Sequence, residues 1–149
     1  MRKSLICLFF ICLLATNTNA ATIKFVDDKY STTVGWKIKR IYVDNELSYC
    51  LEPGVEVGTN GYQKQNVVDY SKISAAQKRD INRIGLFGNY LYAQAKNNGG
   101  TTYYRYYYAA QELIWDKLVS QKHRFKTDLS TYRSKINSLV KDFDKKLTS

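Results

Sequence analysis

The sequence predicts an α+β fold: an N-terminal β-hairpin or small sheet over about residues 21–70, followed by a helical subdomain over about 74–149. Three observations carry that expectation. Residues 23–51 alternate in the manner of strands, a capping-box pair opens a helical periodicity at Ser74, and an apolar spacing of alternating fours and threes runs almost to the C-terminus.

Residues 1–20 stand apart from that fold. Arg2 and Lys3 precede an apolar run, Leu5 to Leu14, that is too short to span a bilayer, and Thr18-Asn19-Ala20 supplies the small residues of a cleavage site. The pattern predicts a signal peptide removed after Ala20. Neither Cys7 nor Cys12 follows a lipobox, and neither a second apolar stretch nor a wall-sorting signal follows. The expected product is secreted or at the cell surface, with no membrane-spanning segment after signal removal and no anchor of its own.

About 129 residues remain, enough for one domain around one core. The whole chain carries a formal charge of +10, and loss of Arg2 and Lys3 leaves roughly +8. Much of the excess lies after Trp115, in Lys117, Lys122, Arg124, Lys126, Arg133, Lys135, Lys141, Lys145 and Lys146. A basic, tyrosine-rich chain is compatible with nucleic acid, but export sets that class aside. A solvated basic helix, or attraction to acidic surface polymers, accounts for the charge. No cofactor and no metal are called for.

Within the strand-like region, Lys37 to Val43 is rich in β-branched residues, Asp44-Asn45-Glu46 makes a turn, and Leu47 to Leu51 alternates again as a return strand. Pro53-Gly54 ends the hairpin and Gly58-Thr59-Asn60-Gly61 marks a further loop. Cys50 is thereby placed near a strand end, with Tyr49 and Leu51 on the opposite face. Ser74 and Gln77 form a capping box. Ile81, Ile84, Phe87, Leu91 and Ala95 then recur at helical spacing, with Gly85 and Gly88 predicting two short helices or one kinked helix. A second helix is expected from Thr102 to about Val119, apolar around most of its circumference and so buried. The third runs through Phe125, Leu129, Tyr132, Ile136, Leu139, Phe143 and Leu147, either packed on the domain or opening a coiled coil.

Of three cysteines, only Cys50 survives signal removal. A lone thiol in an oxidising compartment is buried, linked to another chain, or chemically committed. Gln111 is the other conspicuous residue, because at helical spacing its neighbours are Tyr104, Tyr107, Tyr108, Ile114, Trp115 and Leu118. A primary amide among rings must have its donors and acceptor satisfied. From periodicity alone, the ordinary expectation is a core glutamine bonded to backbone.

Three stretches together resemble the bacterial Cys–Gln thioester domains of Gram-positive surface adhesins. Tyr49-Cys50-Leu51-Glu52-Pro53-Gly54 is similar to the family's cysteine motif. Ile84-Gly85-Leu86-Phe87-Gly88-Asn89-Tyr90 loosely resembles its central aromatic and glycine motif. Ala109-Ala110-Gln111-Glu112-Leu113-Ile114-Trp115 is close to the family's Thr-Gln-x-Ala-apolar-Trp motif, with Ala110 at the usual threonine and Leu113 at the frequent alanine. The resemblance covers most of residues 21–149 in order. It implies that Cys50 and Gln111 are joined as an internal thioester, and it makes Tyr49, Glu52, Asn89, Tyr108 and Trp115 candidates to support that bond. Family domains continue into further strands after the helices, so the resemblance implies a truncated form of that fold.

A thiol that displaces ammonia from a primary amide works uphill in free solution. Fixed contact supplies an effective molarity of about 10⁵ M or more, and aromatic burial excludes the water that would hydrolyse the product. The family implies a single-use reaction, not turnover: a lysine amine on a host surface or matrix protein attacks the Gln111 carbonyl, Cys50 leaves, and an amide links the two proteins. Two other classes compete. A cysteine hydrolase would use Cys50 with His123, but His123 sits in the basic stretch Gln121-Lys122-His123-Arg124 and is expected to be a solvated surface residue. A non-covalent glycan- or protein-binding module would use the aromatic run Tyr103-Tyr104-Arg105-Tyr106-Tyr107-Tyr108, several of which must instead be core.

Overall fold

The computed structural model describes residues 21–54 and 73–148. The expected signal segment 1–20, the loop at Gly58–Gly61 and the remainder of the strand-rich region to residue 70 lie outside the described residues. The architecture is α+β: a three-stranded antiparallel sheet on the N-terminal side, then three helices.

Strand β1 (Ile23–Ser31) pairs with β2 (Lys37–Val43), which pairs with β3 (Glu46–Ser48), so spatial order follows chain order. Asp44 and Asn45 take φ of 51° and 67°, the left-handed pair of a two-residue hairpin turn, which Asn and Asp tolerate better than most residues. Glu46 therefore belongs to the strand and not to the turn, with Val43 as its partner. β3 also ends earlier than the sequence suggests, at Ser48, because the backbone of Cys50 is engaged by a side chain from a helix and not by a strand.

Alternation beyond Ser48 still holds. Tyr49 and Leu51 enter the main core against the helices, whereas Cys50 packs with Ile41 and Val43 in a smaller cluster flanked by Ile23 and Phe25. The sheet thus separates two apolar regions, and the Tyr49–Leu51 segment contributes to both.

Helix α1 (Ala75–Asn97) is one continuous helix, opened by the complete Ser74–Gln77 capping box. It is neither two helices nor interrupted at its glycines. Gly85 and Gly88 are contact points: a Cβ on Gly88 would lie 2.6 Å from the Ala110 Cβ and 3.1 Å from the Tyr49 hydroxyl, so only glycine permits this approach. Helix α2 (Arg105–Leu118) passes through the centre, and every residue from Tyr106 to Trp115 is buried. Helix α3 (Ser130–Thr148) starts later than the spacing from Phe125 suggests. Phe125 instead forms a bridge with Thr32, reinforced by Thr33 N–H to Arg124 O at 2.8 Å and Lys126 N–H to Ser31 O at 2.9 Å. Leu129 is buried just before α3 and Ile136 within it, so α3 packs on the domain by a narrow stripe.

The sheet is joined to α2 by rings and by one buried polar network. Tyr30 stacks on Tyr108 with centroids 4.1 Å apart. Arg40, almost wholly buried, holds Asp28 through two bonds of 2.5 and 2.9 Å and also donates to the Tyr42 and Tyr92 hydroxyls, while Tyr108 O–H donates to Asp28 at 2.8 Å. A buried guanidinium is tolerable here because its carboxylate and hydroxyl partners are all in place. Among the described residues, no helix is long and apolar enough to cross a membrane.

Candidate functional site

Cys50 and Gln111 meet at the end of the hairpin. Helix α2 carries Gln111, which is 0 % exposed, toward the segment that follows β3. The Cys50 N–H donates to Gln111 Oε1 at 2.9 Å, and Gln111 Nε2 donates back to Cys50 O at 2.6 Å. Trp115, one helical turn further along α2, adds Nε1–H to the same Cys50 carbonyl at 3.1 Å. The side-chain amide thus replaces the strand that would otherwise pair with Cys50, and its burial carries no unsatisfied penalty. A core glutamine bonded to backbone, the ordinary expectation, is what the structure contains, and the backbone it bonds is that of Cys50.

The thiol is buried, and its S–H donates to the Glu52 carbonyl at 3.1 Å. Glu52 acts through its main chain here, while the residue itself is exposed. Burial pushes the Cys50 thiol above its ordinary range, with the Glu52 charge adding in the same direction. Cys50 is therefore a thiol, not a thiolate, at neutral pH. It is a free cysteine with no disulfide partner among the described residues.

The other candidates divide into those that join this pair and one that does not. Tyr49, next to Cys50 in the chain, stacks on Tyr107 with centroids 4.9 Å apart and donates its hydroxyl to Asn89 Oδ1 at 2.7 Å. Asn89 therefore orients Tyr49 from α1. Trp115 touches Cys50 directly. Tyr108 is turned away toward Asp28 and belongs to the Arg40 network.

No family model, no curated protein and no solved structure matches this chain. The site is therefore read on its own geometry. Electrostatically, the Cys50 N–H on Gln111 Oε1 stands where an oxyanion donor is needed if the Gln111 carbonyl is attacked, since negative charge would develop on that oxygen.

His123 is not a solvated surface residue. It is buried, at 7 % exposure, with its ring 5.0 Å from that of Trp36 and 6.0 Å from that of Trp115. The segment between α2 and α3 folds back onto the sheet, and that return carries His123 under the indoles. Its Nδ1 has no hydrogen-bond partner among the described residues, so no carboxylate orients it as a general base requires. The aromatic run is also committed to packing: Tyr106, Tyr107 and Tyr108 are buried, and Tyr103 and Tyr104 are partly buried against the main core.

Two more residues matter near the site: Tyr107, already expected beside Gln111 from its helical spacing, and Glu112, which the sequence did not single out. Tyr107 reaches the main chain of β2, where its hydroxyl accepts the Ile41 N–H at 3.3 Å, and its position one turn before Gln111 was the sequence signal. Glu112, 0 % exposed, accepts the Phe125 N–H at 2.7 Å and pairs with Arg133, which ties α2 to the return segment and to α3. No local sequence signal marks Glu112 as buried, because its partners Phe125 and Arg133 lie in later segments of the chain. Among the described residues, no cluster of His, Cys, Asp and Glu could hold a metal ion.

Proposed function

We propose that this chain is a secreted or cell-surface adhesin domain in which Cys50 and Gln111 form an internal thioester, and that an amine on a host surface or matrix protein, most suitably a lysine, opens it to give a covalent amide link. The observation that carries the reading is the two-way pairing of the Gln111 carboxamide with the Cys50 backbone inside a fully buried site. The resemblance of the cysteine and glutamine motifs supplies the chemistry that such contact would serve.

Bond formation balances without a co-reactant. The Cys50 sulfur attacks Gln111 Cδ, the Cδ–Nε2 bond breaks, and the thiol proton leaves with the amide nitrogen as ammonia. Two hydrogen bonds tether the Gln111 carboxamide to the Cys50 main chain, and such tethering would supply effective molarity; the Cys50 N–H faces the oxygen that would gain charge, and the rings of Tyr107 and Trp115, both 0 % exposed, would keep water from the product. A domain of this kind is consumed in one reaction and does not turn over. The uncommitted polar atom of His123 and the packed tyrosine run give less support to a cysteine hydrolase or to a non-covalent aromatic platform.

Intact mass under non-reducing conditions tests the reading, with Cys50→Ala beside the wild type. The expected wild-type mass is below the mature sequence mass by one ammonia, the variant shows no deficit, and methylamine restores one methylamine to the wild type while freeing one thiol. A full sequence mass with a titratable thiol overturns the covalent reading and leaves a non-covalent binding domain.

A further inference from the structure

The Cys50 carbonyl accepts two hydrogen bonds, from Gln111 Nε2 at 2.6 Å and from Trp115 Nε1 at 3.1 Å, and its oxygen has a lone pair for each. Thioester formation would treat the two donors differently. Gln111 Oε1 stays on Cδ, so the bond it accepts from the Cys50 N–H can outlast the reaction. Gln111 Nε2 cannot stay, because it departs as ammonia when sulfur takes its place on Cδ. Closing the bond therefore strips the Cys50 carbonyl of its shorter hydrogen bond. Both Cys50 and Gln111 are buried, and a buried acceptor without a donor is costly.

Trp115 is held independently of that exchange. Its indole is 0 % exposed, with the rings of Phe125 and His123 each 6.0 Å away. Phe125 is fixed in turn by its bridge to Thr32 and by the Glu112 carboxylate. An indole N–H is a donor only, and this one is aimed at Cys50 O.

We propose that Trp115 Nε1–H is the reserve donor of the Cys50 carbonyl: redundant while Gln111 is an amide, required once its nitrogen has left. Trp115 is thereby a positioning residue that sets how far the pair proceeds to the thioester, and the assignment rests on the thioester reading above. The Cys50 thiol and the Gln111 carboxamide give the Sγ–Cδ bond and ammonia, with the thiol proton leaving on nitrogen. Ammonia attack on Cδ reverses the step, returning the proton to sulfur and the amide to Gln111. Trp115 keeps its own proton in both directions. The ratio of closed to open chain at a given ammonia concentration therefore reads the relative stability of the two states, and only the closed state depends on the indole alone.

The test compares the full mature chain with a variant that lacks the indole N–H. Trp115→Phe removes the donor but also leaves a cavity in the core. The deciding variant carries 3-benzothienylalanine at position 115, which keeps the fused ring and puts sulfur in place of N–H. Each protein is equilibrated across a series of ammonium concentrations at one pH, and intact mass gives the fraction with the ammonia deficit. The concentration that opens half the molecules is expected to fall roughly tenfold in the variant, the effect of one unmet buried acceptor. An unchanged midpoint in the folded variant overturns the assignment, since packing is common to both rings. The thioester reading fails separately, when the wild type shows no deficit without added ammonium. Donor redundancy is then measured in the Cys50→Ala background, by urea unfolding of the ring variant with and without Gln111→Met. Loss of both donors is expected to raise the unfolding constant roughly tenfold beyond the product of the two single effects. Effects that simply multiply overturn the assignment.

Discussion

The Gln111 carboxamide pairs with Cys50 as a neighbouring strand would, accepting from its N–H at 2.9 Å and donating to its carbonyl at 2.6 Å. One side chain thus ends β3, seats α2 against the sheet, and brings the only carboxamide of that helix onto the only cysteine among the described residues. The same two bonds hold the fold together and, in the proposed thioester, would set the two groups for reaction.

The stability part is separable in the Cys50→Ala background, where no cross-link forms. Gln111→Ala there leaves the buried residue-50 N–H without its acceptor, and one unmet buried donor costs about 1–3 kcal/mol, to which the cavity adds. The residue-50 carbonyl keeps Trp115 as a partner. Gln111→Glu should preserve the bond from the residue-50 N–H but set a carboxylate oxygen against the carbonyl, so its deficit should shrink as the solution is acidified and the carboxyl becomes a donor. Urea unfolding of the three proteins at neutral and acidic pH measures both effects.

Gly85 and Gly88 are predicted to respond oppositely to alanine. At Gly88 the new Cβ would stand 2.6 Å from the Ala110 Cβ, on the residue preceding Gln111. Overpacking of this kind costs about 1–3 kcal/mol, and shifting α2 outward should also lower thioester occupancy. At Gly85 the nearest atom is Tyr49 Cε2 at 3.7 Å, an ordinary contact, so Gly85→Ala should gain about 0.5–1 kcal/mol from helix preference. Thermal melts, together with the fraction of protein showing the ammonia deficit, check the pair.

These glycines also show where the sequence could be read and where it could not. The hairpin was legible because Asp44-Asn45 is local turn chemistry, and the Ser74–Gln77 capping box is equally local. The continuity of α1 was not legible, since the reason for Gly88 is Ala110, a residue of another helix. Phe125 keeps the apolar spacing of α3 but is held by Thr32 in a bridge to the sheet, and a periodicity count cannot see that partner. His123 looked like a surface residue among lysine and arginine because the indole that covers it, Trp36, comes from the loop before β2. At the site, Gln111 stood out as an amide among rings. Its hydrogen bonds to the Cys50 main chain were not legible, because they depend on the fold, and the family resemblance paired the two residues only as a thioester.

Glu112 should give an acid-side stability trend opposite to that of an ordinary paired carboxylate. Desolvation, the dominant cause, raises its folded-state value, although the Phe125 N–H and the Arg133 and Arg124 charges oppose the shift. Between the unfolded and folded values, the folded chain binds more protons than the unfolded chain at this group. Its contribution to stability therefore increases as pH falls through the folded value and is complete below the unfolded one. The stability difference between wild type and Glu112→Gln, measured by urea unfolding from neutral pH to about pH 4, should shift in favour of the wild type as pH falls. A difference that moved the other way would mean that the Arg133 pairing outweighs burial.

His123 provides the sharpest contrast between a thioester and a hydrolase. Its imidazole lies between Trp36 and Trp115 with Nδ1 unpartnered among the described residues. Phenylalanine fills a similar planar space, adds apolar burial and removes a polar atom whose unmet hydrogen bond costs about 1–3 kcal/mol. His123→Phe should therefore leave stability unchanged or raised. A cysteine hydrolase would lose its base and its activity in that variant. A thioester opened directly by an amine would keep both the ammonia deficit and its methylamine rate, because no proton transfer in that reaction is assigned to His123. Wild-type methylamine kinetics in a well-folded His123→Phe protein are the expected result, and a loss of amine reactivity with the fold intact would return His123 to the reacting groups.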